Sequence, residues 1–246
     1  IDEFNKKFTD DVTLIDNLNL LLNEYGINDE KLKTYKILLT DYKEAFNKLA
    51  QIKAEVGLNN EQGLYEDLKK KNIEEKSIKL GAIMPDFSLP NAKNEIIHSK
   101  EILKKGKMII AFYRGSWCPY CNLELKALQE NLSKINDKKV SLVAISPQSP
   151  DNSLSIIEKH NLTFEVLTDK DNTFAKQLGI IFELQDFVLP FYNALGINLS
   201  SFNKNDDNSL PIPAVFVVNE NGIIIYKFAD ANYMNRIDID ELLNTL

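Results

Sequence analysis

The chain has 246 residues, 44% of them hydrophobic, and a formal net charge of −7, which suits one large domain, or a medium domain with an appendage, around a real core. The acidic balance gives no overall electrostatic reason to hold a polyanion, and the lysines alternate with Asp and Glu as on solvated helix faces, so no nucleic-acid partner is expected. No run nears the roughly 18 apolar residues needed to cross a bilayer, and no secretory leader is expected, so the chain reads as cytoplasmic with no membrane partner; it opens at Ile1 rather than Met, which leaves room for a removed upstream segment.

Composition changes near residue 78, predicting a helical N-terminal arm over residues 1–78 and an α/β domain over residues 79–246. In the arm, Phe4, Phe8, Val12, Ile15, Leu18, Leu21, Leu22 and Tyr25 recur at three- and four-residue steps, as do Leu32, Tyr35, Leu38, Leu39, Tyr42, Phe46, Leu49, Ile52 and Val56. Both patterns predict amphipathic helices, with Gly26 and Gly57 placed as C-terminal caps and a third short helix around Leu64–Lys71. No catalytic cluster lies in the arm, which reads as packing for the main domain or for a dimer partner, making a homodimer possible.

From Lys79 the pattern becomes α/β. Pro85–Leu89 and Glu95–His98 predict two short strands, and Ser99 is placed to cap a helix running to Leu103. Met108–Tyr113 is a short apolar run suited to a strand buried on both faces. Leu123, Leu125, Leu128, Leu132 and Ile135 form a helical stripe, followed by a strand at Val140–Ile145, a helix at Asn152–His160 and a strand at Phe164–Leu167. Asn172 starts a helix closed by Gly179; Phe182–Leu195 is predicted helical but interrupted by Pro190; residues 203–209 form a polar loop. Ala214–Val218 and Ile223–Phe228 make a hairpin across Asn219-Glu220-Asn221-Gly222, and Asp238–Leu246 closes the chain as a helix. The order β-α-β-α-β-α and then β-β-α implies a mixed sheet with helices on both faces.

Both cysteines and the single tryptophan fall in Phe112-Tyr113-Arg114-Gly115-Ser116-Trp117-Cys118-Pro119-Tyr120-Cys121, where a strand ends and a helix begins. Cys118 sits at the helix N-terminus, where unpaired N–H groups and the dipole favour an anion, so its thiol loses a proton more readily. Pro119 fits the first helical position. Cys121 lies one turn on along the same face, which lets the sulfurs join and part: Cys118 attacks first and Cys121 resolves. Three other readings exist. A zinc half-site wants four ligands, and only His98 and His160 are left to supply the rest, at no recognised spacing; both histidines read as structural. A structural disulfide would close almost no loop, and two inert buried thiols are the third alternative. C-x-x-C in an α/β setting favours redox chemistry, with no metal and no cofactor.

The stretch Phe112-Tyr113-Arg114-Gly115-Ser116-Trp117-Cys118-Pro119-Tyr120-Cys121-Asn122-Leu123-Glu124-Leu125 resembles the peroxiredoxin-like branch of the alkyl hydroperoxide reductase/thiol-specific antioxidant family, within the thioredoxin fold. Gly81–Leu89 is similar to the domain opening of that family, Val143–Gln148 to the strand after the catalytic helix, and Phe164–Asp169 with Phe174–Gly179 to its inserted strand and helix. Together these span roughly residues 79 to 246. The resemblance implies a thioredoxin fold with peroxiredoxin-type insertions behind the helical arm. It also implies an antioxidant peroxidase that reduces a hydroperoxide through a Cys118–Cys121 disulfide, restored by a thioredoxin- or glutaredoxin-type protein or a small-molecule thiol.

The chain departs from that family's pattern. Where it places a Thr or Ser three residues before the reactive Cys, a Pro seven before and an Arg ahead of the late strand's Phe, this chain has Gly115, Ala111 and Pro213. Trp117 and Ile212-Pro213 are thioredoxin-like instead, and a cis bond at Pro213 would turn a backbone edge toward the sulfurs; its alternative is an ordinary trans proline before an edge strand. Arg114 and Arg236, the only arginines of the chain, are candidates to hold a thiolate or a peroxide oxygen, against the alternative of ordinary ion pairs. Glu124 is a candidate proton relay to Cys121, or simply an acid near a helix start. Ser116 either donates to the thiolate or turns the chain, and Trp117 is either a plate facing the substrate or a core anchor. Two alternatives to the peroxidase stand: a thioredoxin-like protein disulfide reductase, and a redox-sensing binding module.

Overall fold

The computed structural model describes residues 68–184, 188–194 and 196–246, all within the second of two units, Gly63–Leu246. The helices expected over Phe4–Tyr25 and Leu32–Val56 lie outside the described residues; the third is described only from Leu68, where residues 68–70 are helical. In chain order follow α1 (Ile73–Lys76), β1 (Ser88–Pro90), β2 (Ile96–His98), α2 (Ser99–Leu103), β3 (Met108–Phe112), α3 (Pro119–Glu130), α4 (Leu132–Asp137), β4 (Ser141–Ser146), α5 (Pro150–His160) and β5 (Glu165–Thr168). Then come α6 (Thr173–Gln177), β6 (Ile181–Glu183), α7 (Leu189–Ala194), α8 (Leu199–Asn203), β7 (Ser209–Pro211), β8 (Ala214–Val218), β9 (Ile224–Ala229) and α9 (Ile239–Thr245).

The central sheet has the order β5-β4-β3-β8-β9. β3 and β4, and β4 and β5, run parallel, whereas β8 is antiparallel to β3 and β9 to β8. This is the mixed sheet that the element order implied, and its alternation divides the core in two. Met108, Ile110 and Phe112 face one side with Val143, Ile145, Phe216 and Phe174, joined by Leu68 and Ile73. Ile109, Ala111 and Tyr113 face the other with Leu142, Ala144, Val215, Val217 and the buried stripe of α3. Every residue of β3 is buried, as a central strand covered on both faces requires.

Four local expectations change. The stripe from Leu123 to Ile135 is two helices, because the chain bends at Asn131 (φ −102°, ψ 7°), where the Asn131 Nδ2 donates back to the Ala127 carbonyl at 3.0 Å; Leu123 points outward, 41% exposed. Ser99 does not cap α2 but pins the hairpin: its Oγ accepts from the Phe87 N–H at 3.0 Å. Phe182 and Glu183, expected to be helical, pair as strand β6 with Leu210 and Ser209 of β7, and Pro190 falls in the first turn of α7 rather than inside a long helix. The polar stretch 203–209 begins with the last residue of α8.

Candidate active site

Parallel β3 and β4 end on one edge of the sheet, and antiparallel β8 begins there while β9 ends there. Everything that follows β3, β4 and β9 therefore converges on that edge: Arg114 to Cys118 from the first, Gln148 from the second, Tyr233 and Arg236 from the third. Cys118 is the N-cap of α3 and Pro119 its first residue, as the sequence predicts. Cys121, Glu124, Leu125 and Leu128 form the buried face of α3, so the helical period itself places Glu124 beside Cys121, inside the protein.

Both sulfurs are fully buried, free, and 2.7 Å apart, so a disulfide can close with little movement. Each arginine serves one of them. Arg114 donates from Nη2 to the Cys118 Sγ at 3.1 Å and from Nη1 to the Tyr192 Oη at 3.1 Å. Arg236 donates from Nη2 to the Cys121 Sγ at 3.4 Å and from Nη1 to the Glu124 Oε2 at 2.8 Å, and its Nη2 also reaches the Tyr233 carbonyl at 2.7 Å. The Arg114 guanidinium lies over the Tyr233 ring at 4.2 Å and beside the Trp117 ring at 5.2 Å, and Trp117 meets Tyr192 edge-on at 5.4 Å. Those rings shield the cation from water and strengthen its pull on the thiolate.

Burial pushes the Cys118 thiol up, but the hydrogen bond from Cys121 and the Arg114 and Arg236 charges outweigh it and hold Cys118 well below the ordinary thiol range. Burial, and the bond given to Cys118, push Cys121 well above it. The pair therefore holds one proton on Cys121, with Cys118 the thiolate, the assignment that the helix N-terminus and the shorter arginine contact also favour. Burial raises Glu124 above the usual carboxylate range, and Arg236 offsets this only in part; the Oε1 of Glu124 is buried with no hydrogen-bond partner.

Of the residues singled out by sequence, Arg114, Trp117, Cys118, Cys121, Glu124 and Arg236 come together. Ser116 is close but acts through its backbone: its N–H donates to the Gln148 Oε1 at 2.8 Å and its carbonyl accepts from the Asn122 Nδ2 at 2.9 Å, while its hydroxyl makes no hydrogen bond to either sulfur. The cis bond considered for Pro213 is not formed: no peptide bond among the described residues is cis. Between β7 and β8 the chain bends at Pro213, held by the Ile212 N–H on the Ile180 carbonyl and the Asp230 N–H on the Pro213 carbonyl. Gly115 has a packing reason, since a Cβ there would stand 2.4 Å from the Trp117 Nε1. The indole fills the space that a Thr or Ser side chain would need.

Three site residues were not identified from sequence. Tyr192 comes from the segment between β6 and β7 and carries no periodic signal. Tyr233 lies three residues before Arg236 but carries no sequence signal of its own. Gln148, fully buried, stands in the Ser146-Pro147-Gln148 stretch; it also donates to the Tyr113 Oη at 3.1 Å and the Ser153 Oγ at 3.3 Å, tying the Cys118 loop to β3 and α5.

Fold and site together define a thioredoxin-fold protein with a buried, arginine-flanked dithiol. The chain belongs to the AhpC/TSA family, whose family model matches residues 80–227, and it is a peroxiredoxin-like member. A Buchnera aphidicola protein assigned to the Bcp peroxiredoxins is 34% identical over 104 residues, covering 42% of this chain and 65% of that one, so the chain spans just under two thirds of that relative's length. Peroxiredoxin Bcp of Escherichia coli is 27% identical over 133 residues, 54% of this chain and 83% of that one. The thiol-disulfide oxidoreductase ResA of Bacillus thuringiensis is 26% identical over 108 residues, 44% of this chain and 61% of that one. Among solved structures, peroxidoxin BcpB of Mycobacterium tuberculosis superposes with a TM-score of 0.54 at 18% identity, covering 68% of this chain and 96% of that one. A PrxQ mutant of Xylella fastidiosa gives 0.54 at 13%, covering 68% and 94%; at these identities the two share the fold.

Proposed function

We propose that this chain is a thiol peroxidase in which Cys118 reduces a hydroperoxide and Cys121 resolves the product. The observation that carries this reading is the Cys118 sulfur at the N-cap of α3, held by Arg114 at 3.1 Å with the Cys121 sulfur at 2.7 Å. The Cys118 sulfur attacks the terminal peroxide oxygen; an S–O bond forms, the O–O bond breaks, and the alcohol leaves. Cys121 then attacks the Cys118 sulfenic acid; the S–S bond forms, the S–O bond breaks and water leaves. Glu124 and Arg236 serve this second step. The buried carboxylate accepts the Cys121 proton and the guanidinium steadies the sulfur as it loses it, in keeping with the 2.8 Å ion pair between them and the 3.4 Å contact to sulfur. Two equivalents of an external thiol, from a thioredoxin- or glutaredoxin-type protein or a small molecule, reduce the disulfide by exchange, in the cytoplasm where such donors are maintained. Trp117 and Tyr233, both half-buried, border the approach to Arg114 and Cys118.

Adding hydroperoxide to the reduced protein tests this. The expected result is loss of both thiols per peroxide, far faster than free cysteine reacts, whereas Cys121→Ser stops after one equivalent with a sulfenic acid on Cys118. Loss no faster than free cysteine overturns the reading. If rapid reduction of insulin disulfides accompanied that result, the disulfide-exchange activity named for the Bacillus thuringiensis relative would take its place.

A further inference from the structure

Expulsion of an alkoxide or hydroxide from a peroxide is slow unless the departing oxygen is protonated as the O–O bond breaks. The groups already assigned leave that proton unsupplied. Arg114 donates hydrogen bonds to Cys118 but a guanidinium does not give up its proton. Arg236 and Glu124 stand on the Cys121 side. Gly115 has no hydroxyl, and that of Ser116 does not reach a sulfur.

Resting on the reading of Cys118 as the peroxide-reacting thiolate, we propose that Tyr192 is the general acid of that step, its phenol protonating the leaving oxygen of the hydroperoxide. The Arg114 fork bonds the Cys118 Sγ through Nη2 and the Tyr192 Oη through Nη1, each at 3.1 Å. The two nitrogens belong to one rigid planar group, so one cation holds both the sulfur and the phenol oxygen. In the proposed step the terminal oxygen meets the sulfur in line with its O–O bond, and the second oxygen takes the proton of the phenol that shares Arg114 with that sulfur. Tyr192 is buried, with its ring against Trp117 at 5.4 Å, which fixes the hydroxyl in place and keeps water from the leaving group. Tyr233 offers the guanidinium its ring face instead, and the buried Tyr113 hydroxyl is engaged by Gln148. Burial raises the Tyr192 phenol above its ordinary range, with Arg114 offsetting only part, so it remains a proton donor at neutral pH. The balance is simple: the Cys118 electron pair forms S–O, the O–O pair departs on the leaving oxygen, the Tyr192 proton completes the alcohol, and the phenolate beside Arg114 regains a proton from solvent.

The test uses the reduced full chain, the fluorescence of its single tryptophan, Trp117, and three oxidants: hydrogen peroxide, tert-butyl hydroperoxide and peracetic acid, whose acetate leaves without protonation. Tyr192→Phe is expected to slow the first two by roughly 10²-fold while changing the peracetic acid rate by less than about threefold, with the ultraviolet titration of the Cys118 thiolate unmoved. A parallel loss with all three oxidants together with a shifted thiolate titration means that Tyr192 only props Arg114, and it overturns the proposal, as does no loss at all. Should Tyr192→Phe fail to fold, the wild type decides: general-acid assistance compresses its preference for peracetic acid over hydrogen peroxide relative to free cysteine thiolate, and an undiminished preference refutes it. If the wild type reacts with all three no faster than free cysteine, the peroxidase reading falls and takes this proposal with it.

Discussion

Replacing Arg114 by Met keeps much of the side chain's volume and removes its charge from a buried site 3.1 Å from the Cys118 sulfur. At an effective dielectric of about 20, two unit charges at that distance attract by roughly 5 kcal/mol, and part of this offsets the cost of burying the thiolate. Without Arg114 the burial penalty dominates and the thiol returns at least to ordinary acidity, where a pKa of about 8.5 leaves only about 3% thiolate at pH 7. Oxidation by peroxide should therefore slow at least about 30-fold at pH 7 and recover as the pH is raised past about 9, whereas the wild-type rate stays flat across that range. The readouts are stopped-flow fluorescence of Trp117 and the ultraviolet absorbance of the thiolate against pH. Stability carries the same sign. A thiol whose folded pKa is depressed contributes stability above its unfolded value and loses it as the pH falls through the folded one, so the wild type should exceed Arg114→Met by more at about pH 9 than at about pH 5. A variant that keeps full thiolate absorbance and the wild-type rate at neutral pH would refute the assignment of Arg114. Slow oxidation that high pH does not restore would mean that Arg114 acts on the peroxide rather than on the sulfur.

Glu124→Gln should leave the first oxidation intact and slow closure of the disulfide about 10- to 100-fold, read as the decay of the Cys118 sulfenic acid after one equivalent of peroxide; unchanged closure removes Glu124 from the step. Because burial raises Glu124, its stability contribution is present below the ordinary carboxylate pKa of about 4.3 and lost as the pH rises through the folded value, so in urea titrations the wild type should lose ground to Glu124→Gln across that window. Gly115→Thr, which drives a Cβ to 2.4 Å from the Trp117 Nε1, should cost about 1–3 kcal/mol and shift tryptophan emission. In a Trp117→Ala background most of that cost should vanish, and additive costs in urea denaturation of the two single variants and the double would show that the residues do not compete for space.

What could be read before folding was whatever depends on local pattern. The short apolar runs Met108–Tyr113, Val140–Ile145 and Ala214–Val218 predict the buried strands, and Cys118-Pro119 predicts the helix start where Cys118 stands as N-cap, because burial runs and capping act over a few residues. The break at Asn131 went unseen since an amide bonded back to the Ala127 carbonyl competes with a stripe that continues on either side of it. Strand β6 does not show in the local pattern because its partner, Ser209–Pro211, lies over 25 residues away. The resemblance implies a cis-proline at Pro213, where the chain instead bends from β7 into β8 with no cis bond.

The sequence by itself determined the chemistry available: two thiols one helical turn apart, one at a helix N-terminus, and only two arginines in the whole chain. It did not determine which cation meets which sulfur. Arg114 and Cys118 are four residues apart, but Arg236 reaches Cys121 and Glu124 across 115 and 112 residues, and Tyr192 reaches Arg114 across 78. The Arg236 contacts exist because β3 and β9 bring the segments that follow them to one edge of the sheet, and Tyr192 arrives from the segment between β6 and β7. The helix N-terminus already favours the anion at Cys118, and the folded site adds the hydrogen bond from Cys121 and the two buried charges, which hold the Cys118 thiol well below its ordinary range against the push of burial.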